Sequence, residues 1–320
     1  GGVLGERYRA AGILGAPLAE GEVVLRSSFT KRTIETLQGV MSGIFPADAL
    51  ARKPIVVHVG SNGQGTGHTD YLHHHPECCA RYKFLLGRGV KGWNGTRMPA
   101  PSQNLVDRMK ALGMGFEEHH IKLYGILAWR DMLTCQLGSG LAFVPAVSDA
   151  LVEEIDRHSA AQAVSWFSGG LSNKDRAETL RLAHGRTLGE MLDRLSHAAA
   201  TPNAPKLVLY SAHDWTIMPL VMMMLPDDFP VPWPRFCSDL KVELFRKRGS
   251  GEHFVRVEYS PGTHGEGLPG GKPQVLRLAA CDGAEHCELG RFVKALQPWV
   301  PTDFDHECKM KPGDVPAASK

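Results

Sequence analysis

The sequence has no apolar run long enough to cross a bilayer. Its longest, near Ile217–Leu225, is interrupted by Pro219 and falls far short of the roughly 20 residues a span requires. It has little net charge: 36 Lys and Arg stand against 34 Asp and Glu, a formal +2. So slight an excess gives no reason to expect a nucleic-acid partner. The densest basic run, Arg246-Lys247-Arg248, is followed by Gly249 and reads as a solvated hairpin turn. No CxxC pair is present, and there are no internal repeats and no low-complexity blocks. No leader is visible, but the chain opens on Gly1 inside a helix-like stretch, Leu4 to Gly12. The N-terminus therefore reads as truncated or processed, and compartment cannot be judged from a leader.

What is present is an ordinary globular balance: 320 residues, 43% hydrophobic and 22% charged, enough for one large domain or two smaller ones. The seven cysteines are an odd number, so at least one is unpaired within the chain. Cys281 and Cys287 are spaced for a small disulfide loop rather than a zinc knuckle. Asn94-Gly95-Thr96 is a glycosylation sequon. Together these features favour a secretory setting, secreted, lysosomal or lumenal.

Val23-Val24-Leu25 reads as a short buried strand. The spacing of Ile34, Leu37, Val40, Met41 and Ile44 then predicts a helix that stops at Phe45-Pro46. Ile55–Val59 is a second strand, and Gly60–His75 a loop. Segments around Ser102–Leu112, Lys122–Leu137 and Ser148–Arg157 read as helices, as does the stretch through Leu188, Met191, Leu192 and Leu195. Lys206–Tyr210 is the clearest buried strand. Leu240–Phe245 and His253–Tyr259 alternate like a hairpin at a sheet edge. Strands and helices alternate at both ends of the chain around a helix-rich middle, which predicts an α/β sheet domain with a helical insertion.

Two strand-to-helix junctions carry the chemistry, Arg26 at one and His213-Asp214 at the other. Ligands of open parallel sheets bind beyond the carboxyl ends of the strands, where helix N-termini favour anions. An arginine fork and an imidazole at such a place suit phosphate. Asp214 would repel phosphate unless protonated, which fits a proton donor to a leaving oxygen. The plainer alternative is that Asp214 caps its helix and Arg26 makes a surface ion pair.

Tyr210-Ser211-Ala212-His213-Asp214 resembles the Y-S-A-H-D signature of the histidine acid phosphatases. Leu25-Arg26-Ser27-Ser28 with Lys31-Arg32-Thr33 is similar to that family's R-S-T-x-x-x-R-T segment, and Gly43-Ile44-Phe45-Pro46 to its G-[LI]-F-P. Cys281…Cys287-Glu288-Leu289 resembles its C-x-x-x-C-P-L element with a longer loop and Glu for Pro. Asp305-His306-Glu307-Cys308 resembles its terminal E-C. The resemblance is collinear from Leu4 to Cys308. It implies an α/β, mostly parallel sheet of phosphoglycerate mutase-like topology: a core of residues 1–57 and 176–308, a mainly helical cap of 58–175, and a polar tail of 309–320. It implies hydrolysis of a small phosphomonoester through a covalent phosphohistidine. Arg26 and His213 would hold the phosphoryl group, and Asp214 would be the general acid. No cofactor or metal is implied, because arginines and helix ends neutralise the phosphate. A homodimer is allowed.

The family's nucleophile is the histidine of an R-H-G-x-R-x-P motif, which these 320 residues do not contain. The expectation is that the motif lies upstream and that the chain alone is inactive. The alternatives are a non-catalytic phospholigand-binding member of the fold, or a phosphatase specialised for a sugar, lipid or inositol phosphate. Ala183-His184-Gly185-Arg186, the nearest string, reads as a helix entry rather than a nucleophile. The resemblance also implies disulfides Cys135–Cys237, Cys281–Cys287, and Cys308 with Cys78 or Cys79. Histidines 68, 73, 74 and 75 with Cys78 and Cys79 read as a solvent-facing loop rather than a metal site, and His119-His120 as a charged helix face. Met222-Met223-Met224 and the indoles Trp129 and Trp166 read as core, although both tryptophans could line an entrance.

Overall fold

Val23–Ser27 forms the central strand, β1, of a parallel sheet in the computed structural model. Residues 1–14, 21–45, 56–61, 70–93, 103–113, 125–140, 147–168, 173–225, 231–263 and 271–314 are the ones described. Strand β2 (Val57–Val59) lies on one side of β1 and β3 (Leu207–Ser211) on the other, with Leu25 opposite both Val57 and Leu209. Parallel neighbours need long crossovers. The first crossover is the helix Lys31–Ile44, whose buried Thr33, Leu37, Met41 and Ile44 fall on one stripe facing the sheet. This parallel sheet flanked by helices is the α/β class expected from the sequence.

The second crossover, from β2 to β3, carries the described helices Ala80–Trp93, Gln103–Ala111, Ile126–Gly138, Asp149–Phe167 and Asn173–Ala200. Three of them share a small core of their own, built on Leu105, Met109, Trp129, Leu133 and Ile155. The largest core joins Tyr82, Leu85, Phe167, Leu188 and Met222–Met224 to Val255, Val257 and Tyr259. The methionine triplet is thus core, as expected.

The hairpin β4 (Asp239–Arg246) and β5 (His253–Ser260) belongs to a second, antiparallel sheet with β6 (Gln274–Val275) and β7 (Cys287–Glu288). It is not an edge of the parallel sheet among the described residues. Arg246-Lys247-Arg248 lies at its exposed turn, as expected. Arg7 of the helix Gly2–Ala10 reaches this sheet through Glu243 (2.7 Å) and Glu258 (3.0 Å). The same helix lays Leu4 and Tyr8 on the core beside β1 and β3, so it ties the two sheets together.

Two expectations need correction. His184-Gly185-Arg186 is not a helix entry but lies inside the 28-residue helix Asn173–Ala200. Its glycine answers to packing: a Cβ on Gly185 would stand 2.3 Å from the Trp299 carbonyl oxygen. The pair Cys135–Cys237 is also absent, and both are exposed free thiols. Cys135 lies off the buried stripe of its helix, next to Leu133 and Thr134, and Cys237 sits in a turn at φ 57°. The other bridges are Cys281–Cys287 and Cys79–Cys308, with Cys78 free. The choice between the two adjacent cysteines follows burial, since Cys79 is in the core and Cys78 is not. Asn94, His68, His119 and His120 lie outside the described residues. No described helix is long and apolar enough to cross a membrane.

Candidate active site

The strands β1 and β3 end side by side, Ser27 opposite Ser211, and the Ser28 N–H donates to the Ser211 carbonyl (3.0 Å). The residues leaving the two strands therefore meet at one place. After β3, His213 is the N-cap and Asp214 the first residue of the helix Asp214–Met224. The His213 N–H donates to Thr216 Oγ1 (3.2 Å), which in turn donates to the Leu72 carbonyl. A third segment joins from afar. A Cβ on Gly60 would stand 2.5 Å from the Asp70 Cα, so the glycine admits the returning chain, and Asp70 is buried at 1% exposure.

These segments make one polar chain. Arg32 Nη2 lies 3.2 Å from His213 Nδ1, His213 Nε2 lies 2.9 Å from Ser28 Oγ, and Ser28 Oγ donates to Asp70 Oδ2 (2.7 Å). Asp70 also accepts the Phe29 and Leu72 amides at 3.1 Å each. Burial, with the nearby His73 ring and the Arg32 charge, depresses His213 to about 3, so its ring is neutral at and above moderately acid pH. A guanidinium only donates, so Nδ1 accepts, and the ring proton sits on Nε2 and points at Ser28.

His73 meets the His213 ring edge-on at 4.6 Å, and His73, His74 and His75 pack on one another. The solvent-facing loop expected from the sequence is instead a histidine wall of the site. Burial drives His74 well below the usual range. His184 lies behind it, fully buried and depressed to about 3, chiefly by desolvation.

Asp214 accepts its neighbour Trp215's amide (2.8 Å). Desolvation pushes its carboxyl up, against the pull of the Arg130 charge and that amide. Asp214 is thus the first residue of its helix, with His213 as the N-cap, and burial shifts its carboxyl toward the acid form.

Arg26 is placed differently. Its Nη1 donates to Glu190 Oε2 (2.6 Å), and its guanidinium lies over the Tyr71 ring at 4.8 Å. Burial tends to raise Glu190, but hydrogen bonds from Tyr71, Arg26 and Arg194 hold it below the usual carboxylate range. A phosphoryl group held by Arg26 would share that arginine with Glu190.

Trp129 is core at 1% exposure, while Trp166 stacks on Trp215 at 5.7 Å, directly after Asp214. Among the described residues no group of three or more His, Cys, Asp or Glu is arranged to hold a metal ion. A groove of about 500 Å³ lined by Ser196, His253, Glu288 and Lys294 shares no residue with this cluster.

Sequence reasoning singled out Arg26, His213 and Asp214. It missed Ser28 and Arg32 as site members, although both lie within the Arg26–Thr33 segment that resembles a family motif. Asp70 and Glu190 were not singled out, since the partners that bring them to the site, Ser28 for one and Arg26 and Tyr71 for the other, lie 42 to 164 residues away.

The model of the Histidine phosphatase superfamily (branch 2) matches residues 1–260. The chain is 25% identical over 300 residues to the prostatic acid phosphatase of Rattus norvegicus, covering 90% of this chain and 71% of that protein. It is 27% identical over 319 residues to the lysosomal acid phosphatase of Bos taurus, covering 96% and 69%. Among solved structures, the Hafnia alvei phytase in complex with myo-inositol hexakis sulphate superposes with a TM-score of 0.65 at 14% identity, over 96% of this chain and 85% of that one. The Klebsiella sp ASR1 phytase gives 0.62 at 19% identity, over 95% and 84%. The two structural likenesses speak for the fold.

Proposed function

From the premise that this chain belongs to the histidine phosphatase superfamily, branch 2, we propose that it hydrolyses phosphate monoesters through a covalent phosphohistidine. The nucleophile in this reading is the histidine of an R-H-G-x-R-x-P segment N-terminal to residue 1. Arg26 and Arg32 bind the phosphoryl group, His213 joins them by turning its Nε2–H from Ser28 to a phosphoryl oxygen, and Asp214 is the general acid. The nucleophile's nitrogen bonds to phosphorus as the ester P–O bond breaks, and Asp214 gives its proton to the departing alkoxide. Water then attacks phosphorus, the P–N bond breaks to release inorganic phosphate and the free histidine, and the Asp214 carboxylate takes the proton that water sheds.

The observation that carries this reading is the pairing of two unlike groups on adjacent residues. His213 is held neutral in a chain running from Arg32 to Asp70, and Asp214 beside it has a carboxyl pushed toward its acid form. Burial moves both groups toward their neutral forms, and a carboxyl held toward its acid form beside a phosphate site is suited to give a proton. His184 is a poor rival as nucleophile, because it is fully buried. The two disulfides, and the likeness to a lysosomal acid phosphatase, support maturation in an oxidising compartment.

The test is an assay of the 320-residue chain beside the protein carrying its upstream segment, on a generic aryl phosphate. We expect turnover from the longer protein alone. Robust turnover by the 320 residues would place the nucleophile within them, and silence from both would favour a non-catalytic phospholigand binder.

A further inference from the structure

Arg130 lies on the helix Ile126–Gly138 with 4% exposure. Its Nε faces Asp156 Oδ1 at 3.2 Å, and its Nη1 faces Asp131 Oδ1 at 3.3 Å. The guanidinium lies 4.7 Å over the Trp233 ring. The third nitrogen, Nη2, is buried and has no hydrogen-bond acceptor among the described residues. Two more buried donors share this condition, Trp166 Nε1 and Trp233 Nε1. Both indoles pack on Trp215 with ring centres 5.7 Å away. The two indoles thus flank Trp215, the residue that follows Asp214, and Arg130 lies over one of them.

A buried donor without an acceptor is costly, and such groups call for a specific explanation. Charge says which kind of acceptor is missing. Asp156 also pairs with Arg235 at 3.0 Å, so among the described residues two guanidiniums, Arg130 and Arg235, stand against two carboxylates, Asp131 and Asp156. That set is balanced. What Nη2 lacks is an oxygen lone pair, not a counter-charge.

We propose that Arg130, with the Trp166 and Trp233 indoles beside it, binds a neutral oxygen of the leaving alcohol and makes the enzyme selective for phosphate esters of polyhydroxy alcohols. This rests on the reading of Asp214 as the proton donor. Trp215 adjoins the donor and packs on both indoles, one of which lies under Arg130, which puts this cluster on the leaving side of the substrate, whereas Arg26, Arg32 and His213 face the phosphoryl side. A site built to hydrogen-bond a hydroxyl rejects the analogue lacking it, because its own polar groups are then left unpaired.

The test uses binding, which the 320-residue chain permits without turnover. Glycerol 3-phosphate, propyl phosphate and inorganic phosphate are titrated calorimetrically. We expect glycerol 3-phosphate to bind at least about tenfold more tightly than propyl phosphate. Arg130→Met should reduce that ratio to below about twofold and leave inorganic phosphate unaffected. Arg130→Lys, which keeps a donor and the charge, should fall between. Equal affinity of the unmodified chain for the two esters, with inorganic phosphate bound, overturns this inference alone and assigns Nη2 to a structural water. That outcome stands even if no Arg130 variant folds. No binding of inorganic phosphate overturns the reading of the site as well.

Discussion

Arg32 donates to His213 Nδ1 across 3.2 Å, and this contact sets the direction of every hydrogen bond behind it. With Nδ1 accepting, the neutral imidazole carries its proton on Nε2, Ser28 accepts that proton, and the hydroxyl passes its own to Asp70. A buried anion thus orients a buried neutral ring through one hydroxyl. The ring's position does not depend on a charge of its own.

Ser28→Ala should therefore cost more than a surface hydroxyl would. It strands the His213 Nε2–H, and Asp70 loses one of its three donors. The expected loss is about 1–3 kcal/mol of folding stability, read as a lowered urea midpoint. Phosphate affinity should fall as well, because His213 is no longer held. An unchanged midpoint would mean that the Asp70–Ser28–His213 chain is not formed in solution.

Disulfide mapping under non-reducing conditions should return Cys79–Cys308 and Cys281–Cys287, with Cys78, Cys135 and Cys237 alkylated as free thiols. The first bridge closes a span of 229 residues. Cys308→Ser should cost roughly 2–4 kcal/mol and release the C-terminal segment from the Ala80–Trp93 helix. Recovery of a Cys135–Cys237 peptide would restore the pairing implied by family resemblance and overturn the exposed positions of both thiols.

The parts of this protein legible in its sequence are those whose signal is local. Lys206–Tyr210 with Ser211-Ala212-His213-Asp214 after it declares a strand, a cap and a helix within a dozen residues, and the structure agrees. Asp70 could not be found in that way, since its role exists only because Gly60 lets a returning chain close on β1. His73-His74-His75 misled for the opposite reason. Adjacent histidines look like a solvated loop, yet Tyr82, Phe167 and Trp215 supply an aromatic bed for His74, and His213 one for His73. The Cys135–Cys237 pairing came from resemblance, and the outward faces of both residues were invisible without a fold.

Burial of neutral histidines fixes the sign of the pH dependence of stability. His184 and His213 each fall from 6.5 to about 3 on folding. Between those values the folded state binds fewer protons than the unfolded one, so stability is full above pH 6.5 and declines as pH falls toward 3. Each group contributes a slope of about 1.4 kcal/mol per pH unit in that window. His184→Leu removes one of them without touching the phosphate groups. Its folding free energy, measured by urea titration at about pH 7, 6, 5 and 4, should decline less steeply than that of the parent. Parallel curves would show that His184 is protonated in the folded state.

Asp214 has the opposite sign. Desolvation raises its carboxyl, so in the folded protein the acid form persists to higher pH than in the unfolded chain, and a bound phosphate nearby would raise it further. The rate on substrates that need a proton should then hold at low pH and fall as pH rises through that value, which places the optimum on the acid side of neutral. In the protein with its upstream segment, Asp214→Asn removes the proton but keeps the shape. An alkoxide leaves poorly without a proton, whereas a nitrophenolate leaves unaided. The variant should lose about 10²–10⁴-fold on an alkyl phosphate and far less on nitrophenyl phosphate. Arg26→Ala should slow both esters alike, because its contact is with the group common to them. The deciding measurement is a pH–rate profile of both variants on one alkyl and one aryl ester. If Asp214→Asn slows the two equally and leaves the high-pH limb in place, the carboxyl serves the start of the Asp214–Met224 helix and another group delivers the proton.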